Sequence, residues 1–352
     1  MPNPRQHFPH FSFHGDESLL ETPRRALLIS RTARNPSPST AWVQGIRTAL
    51  TSIKRKNETL VTGLGRAPYE VALFQAKKLG VPAVIVLAEP YSNAGFTEDI
   101  NSILPVRHLL IAPREIEKVD ANVLRDQRVG EFSDRAFAIH VRANGTMARL
   151  AERLRGLGLE VIEVVSSDND VDLKPIVPTN HWADAWRSDS WEYLTHYTRT
   201  PEGLWPGEKL STYFEWLLNG PQTEHRDAAA TLQRILTEKK IRGSGLRLPG
   251  NLAMVSFTAL SPWRFSEWQQ YRRGLQHWNV EPFGIAIRRD VLEKLGARPV
   301  QYFSKMELKR VNPETRSYAQ NDEWKQEEEW RLEGDVRLDA LPADSFKIVR
   351  PA

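Results

Sequence analysis

The chain has 352 residues, 40% of them hydrophobic and 26% charged, with 48 Lys and Arg against 44 Asp and Glu. No apolar run approaches the roughly 18 residues of a membrane span, so no transmembrane role is expected; the absence of cysteine excludes disulfides, thiolate metal sites, iron–sulfur clusters and a cysteine nucleophile. A formal charge of +4 admits a nucleic-acid or nucleotide partner without demanding one.

At about 100–200 residues per domain, the length suggests two domains. Of eleven tryptophans only Trp42 precedes residue 180, so the two halves are expected to be built differently. The opening MPNPRQHFPHFSFHGDES is rich in Pro and His and lacks the apolar stretch of an export signal. Residues 1–22 are therefore expected to form a loose arm, and the chain to be cytoplasmic.

From residue 23 to 167, short β-branched runs alternate with amphipathic stretches. ALLIS (Ala26–Ser30) reads as a buried strand, and a helix over Ala41–Ile53 follows Ser39 or Thr40 as N-cap. ETLVTG (Glu58–Gly63), the helix Pro68–Leu79 with Pro in its first turn, and VPAVIVLA (Val81–Ala88) come next. RHLLIAP (Arg107–Pro113), AFAIHV (Ala136–Val141), a helix over Thr146–Leu157 and LEVIEVV (Leu159–Val165) complete the series. Six strands with helical crossovers predict an α/β Rossmann-like domain with a parallel sheet covered on both faces. Ligands of such sheets sit beyond the carboxyl ends of the strands, where helix N-termini offer N–H groups to anions. Three loops there couple Gly, Ser or Thr with arginine: Ser30-Arg31 through Ser39, Gly63-Leu64-Gly65-Arg66, and Arg142 through Thr146. They suit phosphate, and equally suit ordinary strand-to-helix turns.

The run LRDQRVGEFSDRAFAIHVRANGTMARLAERLRGLGLEVIEV (Leu124–Val164), with LLISRTARNPSP and LVTGLGRAPYEVALFQAKKLG before it, resembles the DNA-processing protein A (DprA/Smf) family and the wider SLOG superfamily. Leu28-Ile29 stands where that family has a small glycine, and Ala67-Pro68-Tyr69 where it has Gly-Ile-Asp. The resemblance implies a nucleotide- or DNA-binding pocket with Arg31, Gly63, Gly65, Arg66, Arg125, Arg128, Gly145 and Thr146 as its candidates.

SSDNDVDLKPIVPTNH (Ser166–His181) is polar with two prolines, which places a linker at residues 168–180 and a second domain at 181–352. There, helical stretches (Lys209–Leu218, Asp227–Lys239) and short strands mix without βαβ alternation, suggesting an α+β unit. LTHYTR (Leu194–Arg199), the strand AMVSFTALSP (Ala253–Pro262), the strand-helix-strand EPFGIAIRRDVLEKLGARPVQYF (Glu281–Phe303) and EWKQEEEWRLEGDVRL (Glu323–Leu338) follow in order. Together they resemble abortive-infection and DUF2971-type bacterial proteins, associated with the ADP-ribosyltransferase-like fold. The resemblance implies NAD as a cofactor. It also implies roles by position: Glu329 as the carboxylate that stabilises positive charge on a ribose, with Glu327 as its near alternate, and His196 with Thr198 as ribose ligands. Ser256 and Thr258, on the middle strand, and Arg331 are further substrate-binding candidates, and Tyr197 and Tyr302 are candidate stacking rings; strand alternation would also let Arg331 pair with an inward carboxylate.

Other readings of these residues stay open. A histidine on a strand is often a hydrogen-bonded core residue, and an acidic run is often a solvated face. Strand alternation would set Glu327 and Glu329 on one face and Glu328 and Trp330 on the other. Most tryptophans are expected in the core. No HExxH, clustered ligand spacing, Walker A sequence or nucleophile elbow occurs, so no metal is predicted. Three functions follow as expectations. One is a phage-defence or DNA-modification enzyme with ADP-ribosyltransferase-like chemistry on a nucleotide-containing substrate. The second is an enzyme converting a nucleobase in DNA, and the third a non-enzymatic DprA-like binder of single-stranded DNA. An oligomer is compatible with all three.

Overall fold

The computed structural model describes residues 9–30, 35–92, 96–116, 120–165, 191–221, 223–224, 226–245, 252–272, 277–312 and 315–351. The chain divides into two compact units, residues 1–172 with 208–224, and residues 173–207 with 225–352. The expected linker at 168–180 and the tryptophans Trp182 and Trp186 lie outside the described residues.

The first unit is a seven-stranded sheet of β1 (Phe11–Gly15), β2 (Arg24–Ile29), β3 (Thr59–Gly63), β4 (Ala83–Val86), β5 (His108–Pro113), β6 (Arg135–Ile139) and β7 (Glu160–Val165), in the order β1-β5-β4-β3-β2-β6-β7. The strands β2 to β7 are parallel, and β1 joins β5 antiparallel from Phe11 opposite Pro113 to Gly15 opposite Leu109. All six strands expected from the apolar runs are present. They are nearly continuous in apolar residues because both faces are covered. Leu27 and Ile29 enter one core with helices α1 (Ala41–Arg55) and α2 (Ala67–Leu79), while Ala26 and Leu28 enter the other. Trp42, Ile46, Ala49, Leu50 and Ile53 give α1 its buried stripe at helical spacing. The helix α3 (Glu98–Ile103) lies on the first core, and α4 (Ala121–Glu131) and α5 (Thr146–Gly156) supply Val129, Met147, Leu150 and Leu154 to the second.

Two expectations are corrected here. The arm expected at residues 1–22 is, from residue 9 onward, part of the fold: Phe11 and Phe13 pack on the second core, and Leu19 is fully buried. The helix expected at Lys209–Leu218 in the second half forms as α6 (Leu210–Asn219) but belongs to the first unit. Its Tyr213, Phe214, Leu217 and Leu218 complete the core made by α1 and α2. A stripe of apolar residues dictates that a helix must dock, and it says nothing about which sheet it docks upon.

The second unit carries β8 (Tyr193–Tyr197), β9 (Lys240–Ile241), β10 (Met254–Thr258), β11 (Tyr271–Arg272), β12 (His277–Trp278), β13 (Gly284–Arg288), β14 (Arg298–Pro299), β15 (Gln301–Phe303), β16 (Ala319–Asn321), β17 (Glu329–Glu333), β18 (Val336–Arg337) and β19 (Phe346–Val349). Six of them form an antiparallel sheet in the order β14-β17-β10-β8-β13-β19. Helix α7 (Ala228–Glu238), capped by the Asp227 carboxylate, packs Leu232 and Ile235 on Leu194, Val255, Phe257, Ile285 and Leu332. The opposite face holds Tyr197, Ala286 and Val349 against Phe265, Trp268 and Val280. Gly284 is required where β13 crosses β8, because a Cβ there would lie 2.4 Å from the His196 carbonyl oxygen. The unit combines an antiparallel sheet with the helix α7 packed on one face. No helix among the described residues is long and apolar enough to cross a membrane.

Candidate functional site

The glycine–arginine loop after β3 sits where a Rossmann-like sheet receives a phosphate, yet it is satisfied from within. Arg125 on α4 is 1% exposed; it donates through Nε and Nη2 to the Asp126 carboxylate at 3.0 and 2.7 Å, and through Nη1 to Leu64 O and Asn122 Oδ1. Tyr69 OH donates to the same carboxylate at 2.9 Å, and Arg66 approaches it at 3.5 Å. The Gly65 N–H donates to the Glu70 carboxylate, whose pKa burial nonetheless raises. Gly63 is small because a Cβ there would lie 2.8 Å from Arg125 Cδ, so Arg125 dictates this glycine. The expectation that Arg125 and Arg128 meet DNA is therefore corrected: Arg125 is a buried strut, and Arg128, 9% exposed, lies 4.6 Å over the Phe11 ring. Neither guanidinium is presented outward to a phosphate.

Gly145 and Thr146 start α5, with Asn144 at positive φ and Gly145 N–H bonded to Arg142 O. This is a turn geometry with Arg142 exposed beside it. Arg31 lies outside the described residues.

The second unit holds a cleft of about 450 Å³ that gathers most of the other candidates. Its origin is in the sheet. The strands β8 and β10 are linked by a single antiparallel pair, Thr195 with Thr258, and beyond it His196 takes the place of ladder bonding. The His196 ring donates from Nδ1 to Ser256 O at 2.8 Å and meets the Phe257 ring edge-on. Because a carbonyl only accepts, Nδ1 carries the proton, leaving Nε2 as an acceptor in the neutral ring. Burial, with the Arg199 charge adding to it, holds the His196 pKa below the usual imidazole range.

His196 and Glu329 both line this cleft, although register sets them on opposite sides of the strand alternation. Glu329 shares a row with Thr258 and Thr195, whereas His196 lies on the side of Phe257. The cleft takes in residues of both sides where β8 and β10 join by that single pair.

The acidic run is shaped differently from the expected strand. Residues Asp322–Glu327 form a 3₁₀ helix, Glu328 turns the chain at φ +42°, and β17 begins at Glu329. Both Glu327 and Glu329 nevertheless line the cleft. Arg331, 2% exposed, grips both Glu329 oxygens at 2.8 and 2.9 Å and is itself anchored on Ser317 O. The sequence expectation that Arg331 pairs with an inward carboxylate matches this clamp. Glu327 is held at one oxygen only: its Oε1 accepts from Arg272 at 2.9 Å and from Asn279 at 3.3 Å. Burial raises the Glu327 pKa against the pull of Arg272, and the Glu329 charge adds to the rise. Of the two carboxylates, Glu327 is the one with an oxygen left for a ligand.

The hydroxyls divide in the same way. Thr198 donates to Ala228 O at 2.7 Å, fastening the start of α7, and Thr258 donates to Glu327 O at 2.6 Å. Both line the cleft while their protons serve the framework. Ser256 is exposed in it. Tyr197 is buried against Phe265 and Trp268 at 5.0 and 5.9 Å, so its ring belongs to the core beneath the cleft. Tyr302 is corrected as a stacking ring: it is absent from the cleft lining, its hydroxyl accepts the Glu329 N–H at 2.7 Å, and burial pushes its pKa up to about 12.

Sequence reasoning missed Arg272, Asn279, and a His277–Glu202 pair at 2.9 Å, all in the cleft wall. Arg272, His277 and Asn279 sit in or beside two-residue strands whose pattern is too short to signal. Among the described residues no group of three or more His, Asp or Glu is placed to hold a metal ion.

No family model matches the chain, and no curated protein matches it. Among solved structures, DNA processing protein A (DprA) from Streptococcus pneumoniae aligns at a TM-score of 0.38 and 15% identity, over 46% of this chain and 56% of that one. The chain thus spans about half the length of that relative, 56% of it. DNA processing protein A from Helicobacter pylori, described for its single-stranded DNA binding mode, aligns at 0.35 and 16% identity, over 45% of this chain and 73% of that one. No residue role follows from likeness at this level.

Proposed function

We propose that the protein is a nucleotide- or DNA-directed enzyme whose second unit carries ADP-ribosyltransferase-like chemistry. The observation that supports this reading is the cleft at β8 and β10, whose lining includes both an imidazole with an acceptor nitrogen, His196, and a half-engaged carboxylate, Glu327. NAD would bring a nicotinamide leaving group, whose departure places positive charge on a ribose. The residues present suit that group. Glu327 is mostly covered, its side chain 15% exposed, and is turned by Arg272 and Asn279, so its second oxygen acts where a charge interaction is stronger than in open water. His196 Nε2 would accept from a ribose hydroxyl, and Glu329 with Arg331 anchors the start of β17, across β10 from β8.

The test is release of nicotinamide from NAD by the full chain, with DNA and protein present as acceptors. Glu327→Gln is expected to lower the release by about a hundredfold or more, the scale of losing one charge-stabilising group. Glu329→Gln is expected to lower it less. A wild-type protein that neither frees nicotinamide nor labels any acceptor sinks the transferase reading. Nucleosides from treated DNA that show an altered base without added ADP-ribose would favour nucleobase conversion instead.

A second reading, a DprA-like binder of single-stranded DNA, is supported by the parallel sheet of the first unit and the exposed Arg142 at the loop preceding α5. Because Arg125 and Arg128 are internal, this reading assigns binding to the exposed loop arginines. It is expected to give salt-dependent binding that falls with Arg142→Ala and is indifferent to Glu327→Gln.

A further inference from the structure

The α7 side of the same cleft contains an unbalanced charge. Glu238, the last residue of α7, accepts from Arg234 Nε at 2.7 Å and from Arg242 Nε at 2.8 Å, so one carboxylate faces two guanidinium groups. Burial works to raise the Glu238 pKa, and the bonds from Arg234 and Arg242 outweigh it and hold it below the usual range. Neighbouring Lys240 pairs with Asp335 at 3.2 Å, and the Arg242 charge also acts on Asp335, so three cations share two carboxylates here.

The two arginines use only Nε on Glu238, which leaves their terminal nitrogens for something else. Arg234 Nη1 is buried with no hydrogen-bond partner among the described residues, and its guanidinium lies 4.9 Å over the Trp205 ring. Trp205 is itself fixed, donating from Nε1 to Thr231 Oγ1 at 3.0 Å. Arg242 is fixed against Gly207, where a Cβ would come within 3.0 Å of its Nη1. Arg234, Glu238 and Arg242 all line the cleft. A buried guanidinium N–H without an acceptor is costly, and a fork of N–H donors matches the paired oxygens of a phosphoryl group.

We propose that Arg234 and Arg242 form an anion subsite that takes a phosphoryl group of the ligand, with Glu238 holding both forks in position. The assignment rests on reading the cleft as a nucleotide site and names the part of the ligand that the α7 side recognises. Such a group occurs in a nucleoside diphosphate and in a nucleic-acid backbone, so the probes must separate them.

The experiment is calorimetric titration of the full chain with ADP-ribose, adenosine, inorganic diphosphate and a single-stranded oligodeoxynucleotide. ADP-ribose is expected to bind at least about tenfold tighter than adenosine, and Arg234→Gln and Arg242→Gln each to weaken it about tenfold, the scale of one lost charge-assisted bond. Glu238→Gln removes the competing carboxylate and is expected to tighten inorganic diphosphate by a few-fold. That opposite sign separates a subsite from a folding defect, since a damaged fold weakens every probe. If the oligodeoxynucleotide binds with the same dependence on Arg234 and ADP-ribose does not, the phosphoryl subsite stands and its source is the backbone. Equal affinity for ADP-ribose and adenosine together with oligodeoxynucleotide binding that does not depend on Arg234, or unchanged diphosphate binding in all three variants, overturns the subsite. Diphosphate binding that depends on Arg234 in a protein that never cleaves NAD would retain the subsite and remove the transferase reading.

Discussion

The loop at Gly63–Arg66 and the cleft between β8 and β10 use similar side chains to opposite ends. In the loop, arginine, carboxylate, tyrosine and backbone N–H close on one another, and Arg125 and Asp126 are 1% and 3% exposed. In the cleft, Arg234 and Glu327 are each half engaged, and the space beside them is open. Residue type alone does not separate a strut from a site. What separates them is whether partners within the chain exhaust the hydrogen-bonding capacity of each charged group.

The largest test of this contrast is Arg125→Ala, which leaves Asp126 buried without its guanidinium. It is expected to cost about 3–5 kcal/mol in urea unfolding. A cost below about 1 kcal/mol would mean that Arg125 is not a strut. Next is Leu217→Ala on α6, fully buried in the first unit's core. About 3 kcal/mol is expected, read as faster hydrogen exchange in β3 and β4 and unchanged exchange in β8 and β10. Faster exchange confined to β8 and β10 would reassign the helix.

A smaller effect concerns pH. Glu70 and Glu327 both have raised pKa values, chiefly through burial. A carboxyl whose folded pKa lies above its unfolded value holds its proton longer when folded. Stability therefore falls as pH rises from the ordinary glutamate range through the folded value. Unfolding free energy followed across that window is expected to fall in the wild type and to fall less in Glu327→Gln. An unchanged slope would place Glu327 in a more solvated setting than its bonds to Arg272 and Asn279 imply. The smallest effect is Lys78→Ala, which removes a half-exposed pair with Glu215 on α6. No more than about 1 kcal/mol is expected by thermal unfolding.

The six parallel strands were legible because buried strands are short unbroken apolar runs, and the helices because caps and stripes mark them. β1 escaped notice because Pro and His around FSFH outweighed the alternation of Phe11 and Phe13. The clamp of Arg331 on Glu329 could be read from i and i+2 spacing on a strand, but the turn at Glu328 could not. Nothing in EEEW signals a residue at positive φ, and that turn decides which carboxylate is left half engaged. Arg125 looked like a ligand because an arginine's burial is a property of its neighbours, and those neighbours lie some sixty residues earlier, at Leu64 and Tyr69.

The return of residues 208–224 to the first unit, after 173–207 have entered the second, also governs how the protein emerges from the ribosome. The first sheet is complete once β7 has been made, yet the helix that seals Phe74 and its neighbours arrives only with residue 219. Until then the nascent chain carries a wet apolar surface, the condition under which chains associate wrongly or engage chaperones. A fragment cut at the apparent boundary near residue 172 would carry that surface permanently. Vectorial synthesis thus makes the first unit wait for a segment of the second half before it is whole.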